Sequence, residues 1–189
     1  MTAAPVSPAP VWDLINGFAA YHALVASLDL GVIDAVAEPG GATAAQVADR
    51  IGAADASEVA LLADLLVALG VIRADGDRYA LTDVADRFLR ADSPAQMREL
   101  VRLSPGPYAA WATLADTIRT GVPAVRVTDE PEVFLAPLVE ATAPTQRAVA
   151  AATWARLADE GVRPALVIDL GAGSGAWSRD RGVHDPEGL

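Results

Sequence analysis

Residues 40–82 read GGATAAQVADRIGAADASEVALLADLLVALGVIRADGDRYALT, and their punctuation decides the fold. Thr43 stands three residues before Gln46, the spacing of a capping box, in which each side chain satisfies the other residue's backbone amide. A short helix, Ala44 to Ile51, is expected to follow and to stop at Gly52. The next stretch repeats the pattern. Ser57 stands as cap, Val59, Leu61, Leu62, Leu65, Leu66 and Leu69 form an apolar stripe, and Gly70 terminates it. VIRADGDRYALT then alternates apolar and polar residues around Asp75-Gly76, which predicts a β-hairpin with a tight turn.

Upstream lies VWDLINGFAAYHALVASLDLGVIDAV, residues 11–36. Leu14, Ile15, Phe18, Ala19, Leu24, Val25 and Leu28 recur at helical spacing and make an unusually wide apolar face. Gly31 is expected to end this helix. A face so wide, so near the N-terminus, suits either an ordinary core or burial against a second subunit. Helix, short helix, longer helix and hairpin together are the order of a winged helix-turn-helix.

Downstream, Asp83 to Leu89 and Pro94 to Leu103 continue as helix until SPGP breaks it. Tyr108 to Thr120 reads as another helix, ended by Gly121-Val122-Pro123. Glu132 to Glu160 reads as one or two helices, interrupted near Pro137 or Pro144. Val162-Arg163-Pro164 leads into an expected strand, Ala165 to Asp169.

Composition excludes several function classes. The net charge is −11 and every basic residue is Arg, so the chain repels phosphate backbones and anionic membranes; neither nucleic acid nor membrane is an expected partner. No apolar run reaches the roughly 18 residues of a membrane span. The absence of Cys rules out disulfides and thiolate metal sites and fits a cytoplasmic location. His22 and His184 are the two histidines, too few for a histidine cluster, and no metal site is expected. Residues 1–10 read as a disordered lead.

The candidate binding site is the run ALVIDLGAGSG, residues 165–175. Its apolar stretch ends in Asp169 and turns through Gly171, Gly173 and Gly175, which let a ligand approach bare backbone. A triphosphatase P-loop needs a Lys that this chain lacks. A dinucleotide loop remains open on spacing, since Gly171, Gly173 and Ala176 satisfy G-x-G-x-x-A. Asp169 weighs against it, because a carboxylate beside a pyrophosphate is repelled. S-adenosylmethionine carries a sulfonium and an ammonium group and no phosphate, so a carboxylate at that position favours it. Asp169, Gly171, Gly173 and Gly175 are the candidate cofactor residues.

The segments NGFAAYHALVASLDLGVIDAV, TAAQVADRIGA, LLADLLVALGVIRADGDRYALTDVADRFLRADSP and VIDLGAGSGAWS resemble the small-molecule S-adenosylmethionine-dependent O-methyltransferases. The resemblance implies a mostly α chain in four parts. These are a lead at 1–10, a winged-helix dimerisation domain at 11–103, a helical linker at 104–160, and the first strand and glycine loop of an incomplete Rossmann-like α/β domain at 161–189. It implies a homodimer through the N-terminal helices and a hydroxylated aromatic or polyketide-like substrate. The family's second strand and its acidic residue, about 20 residues beyond the loop, would fall near position 195, past Leu189. RDRGVHDPEGL has neither helix propensity nor an apolar stripe. The expectation is therefore a C-terminally truncated methyltransferase, inactive alone, with weak or lost cofactor binding. No catalytic residue is assigned, and His184 is not given that role.

Two other functions compete. A non-catalytic dimerisation or accessory protein would keep only the helical interface. A winged-helix DNA-binding regulator would use Ser57 to Leu69 as its recognition helix, but that helix carries Glu58 and Asp64 and no basic residue. His22, Trp111, Trp154, Tyr108, Phe134 and Gln146 read as packing residues, although the resemblance places several near a substrate pocket. Arg73, Arg78, Arg147 and Arg156 read as surface charge.

Overall fold

The structure is a computed structural model that describes residues 6–103, 111–124 and 131–179. Tyr108, the side chain of Phe134, and the final stretch with His184 lie outside the described residues. The chain divides into two compact units, Met1–Arg90 and Ala91–Leu189.

In the first unit, α1 (Ala9–Asp29) begins inside the segment expected to be a lead. It ends two residues before Gly31, whose φ of 82° starts α2 (Val32–Val36). β1 (Ala42–Thr43) leads into α3 (Ala44–Ile51), and the expected capping box is present. The Gln46 amide donates to Thr43 Oγ1 at 3.2 Å, and the Thr43 amide donates to Gln46 Oε1 at 3.0 Å. α4 (Ala56–Ala68) is capped by Asp55 rather than by Ser57, the expected cap. The Ser57 amide donates to Asp55 Oδ1 at 2.8 Å, and this bond holds the Asp55 carboxyl below its usual range.

The hairpin of β2 (Ile72–Asp75) and β3 (Arg78–Leu81) pairs Asp75 with Arg78 across Gly76-Asp77. β1 adds to the other edge of β3, giving an antiparallel sheet in the order β1-β3-β2. Arg78 donates to the Gly40 and Gly41 carbonyls, and Tyr79 Oη donates to Asp64 Oδ1, tying the wing to α4. Burial and the Asp64 carboxylate raise the Tyr79 phenol above its ordinary value. α5 (Asp83–Leu89) has the expected bounds and is capped by Thr82. Val32, Ile33, Val36, Val47, Leu66 and Ile72 form the buried centre under the sheet.

The apolar stripe of α4 splits in two. Val59, Ala63 and Leu66 are buried, whereas Leu61, Leu65 and Leu69 face outward at 65%, 41% and 40% exposure. α4 is apolar around most of its circumference, so periodicity alone cannot say which face meets the core. α1 behaves alike. Ala23, Ser27 and Leu28 are buried, and Trp12, Leu14, Ile15 and Phe18 stay exposed.

In the second unit, α6 (Arg98–Leu103) starts later than the expected Pro94. α7 (Leu114–Thr120) ends at Gly121, as predicted. α8 (Pro131–Asp159) runs unbroken through Pro137 and Pro144, where an interruption was expected. Each proline removes one backbone bond, but α6 and α9 (Ala176–Arg179) pack along α8 and support it.

The expected strand Ala165 to Asp169 does not form. The segment has no assigned regular structure and pairs with no strand among the described residues, and Leu166 and Ile168 are 75% and 74% exposed. A strand needs a neighbour for its ladder.

Gly41 and Gly52 share a φ of 68°, but only at Gly41 would a Cβ overlap a neighbour, the Tyr79 carbonyl oxygen. Gly52→Ala should cost about 1 kcal/mol, the left-handed penalty alone. Gly41→Ala should cost at least about 2 kcal/mol more, because β3 must shift. Urea unfolding of both variants checks the difference.

Candidate functional site

The glycine run sits at the end of this segment. Gly171, Gly173 and Gly175 all have positive φ, at 74°, 54° and 69°, which L side chains rarely adopt. A Cβ on Gly171 would meet nothing within 4 Å, so the backbone there is open to a ligand. A Cβ on Gly173 would sit 3.5 Å from the Val139 side chain, so this glycine rests on α8. The loop closes through the Gly175 amide, which donates to the Ala172 carbonyl at 2.7 Å. α9 then starts, and its Arg179 amide donates to the Gly175 carbonyl at 2.9 Å.

Asp169 precedes the loop. Its Oδ2 is buried and has no hydrogen-bond partner among the described residues. A carboxylate oxygen withdrawn from water without a donor is costly. A cationic or donor-bearing ligand would remove that cost. The same carboxylate disfavours a pyrophosphate, and its chemistry suits a cationic group such as that of S-adenosylmethionine.

Two indoles anchor the loop's exit. Trp154 Nε1 donates to the Trp177 carbonyl at 2.8 Å, and Trp177 Nε1 donates to Gln146 Oε1 at 3.0 Å. Sequence reasoning gave Trp154 and Gln146 a packing role and missed this link, because the partners are 23 and 31 residues apart and carry no local pattern.

Trp111 is 67% exposed. His22 makes edge contacts with the Phe18 and Tyr21 rings on α1. Arg156 pairs with Glu160 at the end of α8. Between α6 and α8 lies a groove of about 370 Å³ lined by Leu103, Pro137 and Ala141 with Glu99, Arg102 and Glu140 at its sides. Among the described residues, no group of three or more His, Cys, Asp or Glu could hold a metal ion, and no helix is long and apolar enough to cross a membrane.

Because Leu166, Ile168 and Leu170 are exposed, at 75%, 74% and 90%, their replacement removes little packing. Leu170→Asn should leave unfolding free energy within about 0.5 kcal/mol of the parent. Thermal melting checks this, and a loss of about 2 kcal/mol or more would mean that the segment is packed.

Residues 12–91 match the O-methyltransferase dimerisation domain. An acetylserotonin O-methyltransferase of Rattus norvegicus is 34% identical over 111 residues, 58% of this chain and 25% of that enzyme. The N,N-dimethyltransferase OxyT of Streptomyces rimosus is 34% identical over 126 residues, 64% of this chain and 36% of OxyT. The crystal structure of human N-acetylserotonin methyltransferase with SAM superposes with a TM-score of 0.69 at 25% identity, covering 97% of this chain and 58% of that one. The matches thus span between about a quarter and somewhat over half of these relatives' length. The family match is confined to residues 12–91, and over that region the chain is similar to O-methyltransferases that carry this dimerisation domain.

Proposed function

We propose that the chain contributes the dimerisation domain and the cofactor loop of an S-adenosylmethionine-dependent O-methyltransferase of small molecules. The observation that carries this reading is the orphaned Asp169 Oδ2 beside three positive-φ glycines. Asp169 would take the cationic or hydroxyl-bearing part of the cofactor, and Gly171, Gly173 and Gly175 would admit it against bare backbone. When bound, the cofactor supplies a methyl group on a sulfonium centre, ready for transfer to a nucleophilic oxygen. Residues 11–103 would form the dimerising part, 104–160 a linker, and 161–189 the start of the methyltransferase domain. The substrate class suggested by family likeness is a hydroxylated aromatic or polyketide-like molecule.

The exposed apolar faces of α1 and α4 support a homodimer, since such surface is rarely left to water. They also support the second reading, a dimerising accessory protein without activity of its own. The acidic surface of α4, with Asp64 engaged by Tyr79, argues against DNA recognition.

Isothermal titration separates the readings. S-adenosylmethionine should bind only weakly, and Asp169→Asn should weaken it further, about tenfold, by removing a charge-assisted contact. NAD should not bind. Binding of NAD in preference would contradict the assignment, and silence with both ligands would favour the accessory role.

A further inference from the structure

We infer that Trp154 and Gln146 are positioning residues, which hold the glycine loop in its ligand-accepting shape by gripping Trp177. The inference rests on the reading of 169–175 as a cofactor loop. A loop with three glycines in five residues loses much backbone entropy on ordering and has only the small side chains of Ala172 and Ser174 to fix it. Its flanks give little help. Upstream, 165–169 has no strand partner among the described residues. Downstream, α9 is a single turn, too short to be stable unaided.

The order must come from α8. It meets the loop region at three places along its length: Val139 against Gly173, Gln146 against the Trp177 indole, and Trp154 against the Trp177 carbonyl. The last two contacts run in opposite directions through one residue. Trp177 donates through its ring and accepts through its backbone, so both its register and its ring orientation are set. Ala150, wholly buried, lies midway between Gln146 and Trp154 on the helix and leaves room for close approach. A loop fixed beforehand loses less entropy when it binds a ligand. The two indole bonds therefore act on cofactor affinity without any contact to the cofactor.

The test uses the whole chain and two measurements, S-adenosylmethionine titration and hydrogen exchange of the amides from Gly171 to Arg179. Gln146→Ala, an exposed position that leaves packing intact, and Trp154→Phe should each weaken binding about fivefold and speed exchange in the loop about as much. Gln146→Glu keeps an acceptor for the Trp177 indole and should stay within about twofold of the parent. Exchange in the buried centre around Ile33 and Leu66 should not change in any variant. Parent-like affinity and loop exchange in both Gln146→Ala and Trp154→Phe would overturn the inference. If the parent takes up no S-adenosylmethionine, the cofactor reading falls. The exchange data then decide the grip on their own: faster loop exchange in the variants upholds it, and unchanged exchange overturns it.

Discussion

The first unit is governed by a surplus of apolar surface on two helices. α1 and α4 are apolar around most of their circumference, yet one small core can cover only one side of each. The core takes Ala23 and Leu28 from α1 and Val59, Ala63 and Leu66 from α4. Trp12, Leu14, Ile15 and Phe18 on α1, and Leu61, Leu65 and Leu69 on α4, are left facing out. The wing fixes this outcome. Tyr79 holds Asp64 on α4, Ile72 is buried beneath the sheet, and Arg78 ties β3 to the Gly40-Gly41 turn. With one side of α4 committed to the core, the opposite side has nothing in its own unit to cover it. The proposed second copy is the partner favoured by this apolar surface and by the likeness of residues 12–91 to a dimerisation domain.

The second unit meets a different constraint. Its segment 162–170 carries backbone groups that a β-ladder would normally satisfy, and its leucines and isoleucine stand in water. The glycine loop is nevertheless shaped, with three left-handed residues in a row of alternating positions. α8, the longest helix among the described residues, meets it through one aliphatic and two polar contacts. Asp169 is left with a buried oxygen and no donor, a cost that a cationic ligand would remove.

Local signals made much of this legible from sequence. The Thr43–Gln46 capping box, the stops at Gly52, Gly70 and Gly121, the two-residue turn and the extent of α5 all depend on residues within a few positions of one another. What failed was non-local or a choice between neighbours. Asp55 outcompeted Ser57 as the cap of α4 because its carboxylate accepts the Ser57 amide. Tertiary support carried α8 across two prolines that intrinsic propensity would have used as breaks. The strand at 165–169 needed a neighbour that periodicity cannot supply. The motif Asp169 to Gly175 was visible as a pattern, but Trp154, Gln146 and Val139, which shape it, were not, since nothing in their local sequence points to the loop.

The account's central claim is that the outward faces of α1 and α4 are covered by a second copy and that this burial is part of the stability of the fold. Folding coupled to association makes stability depend on protein concentration. The most direct measurement is urea unfolding, followed by circular dichroism, at two protein concentrations about a hundredfold apart. The account predicts a midpoint that rises with concentration, together with a dimeric mass at the higher one. A midpoint independent of concentration, with a monomeric mass throughout, would contradict it.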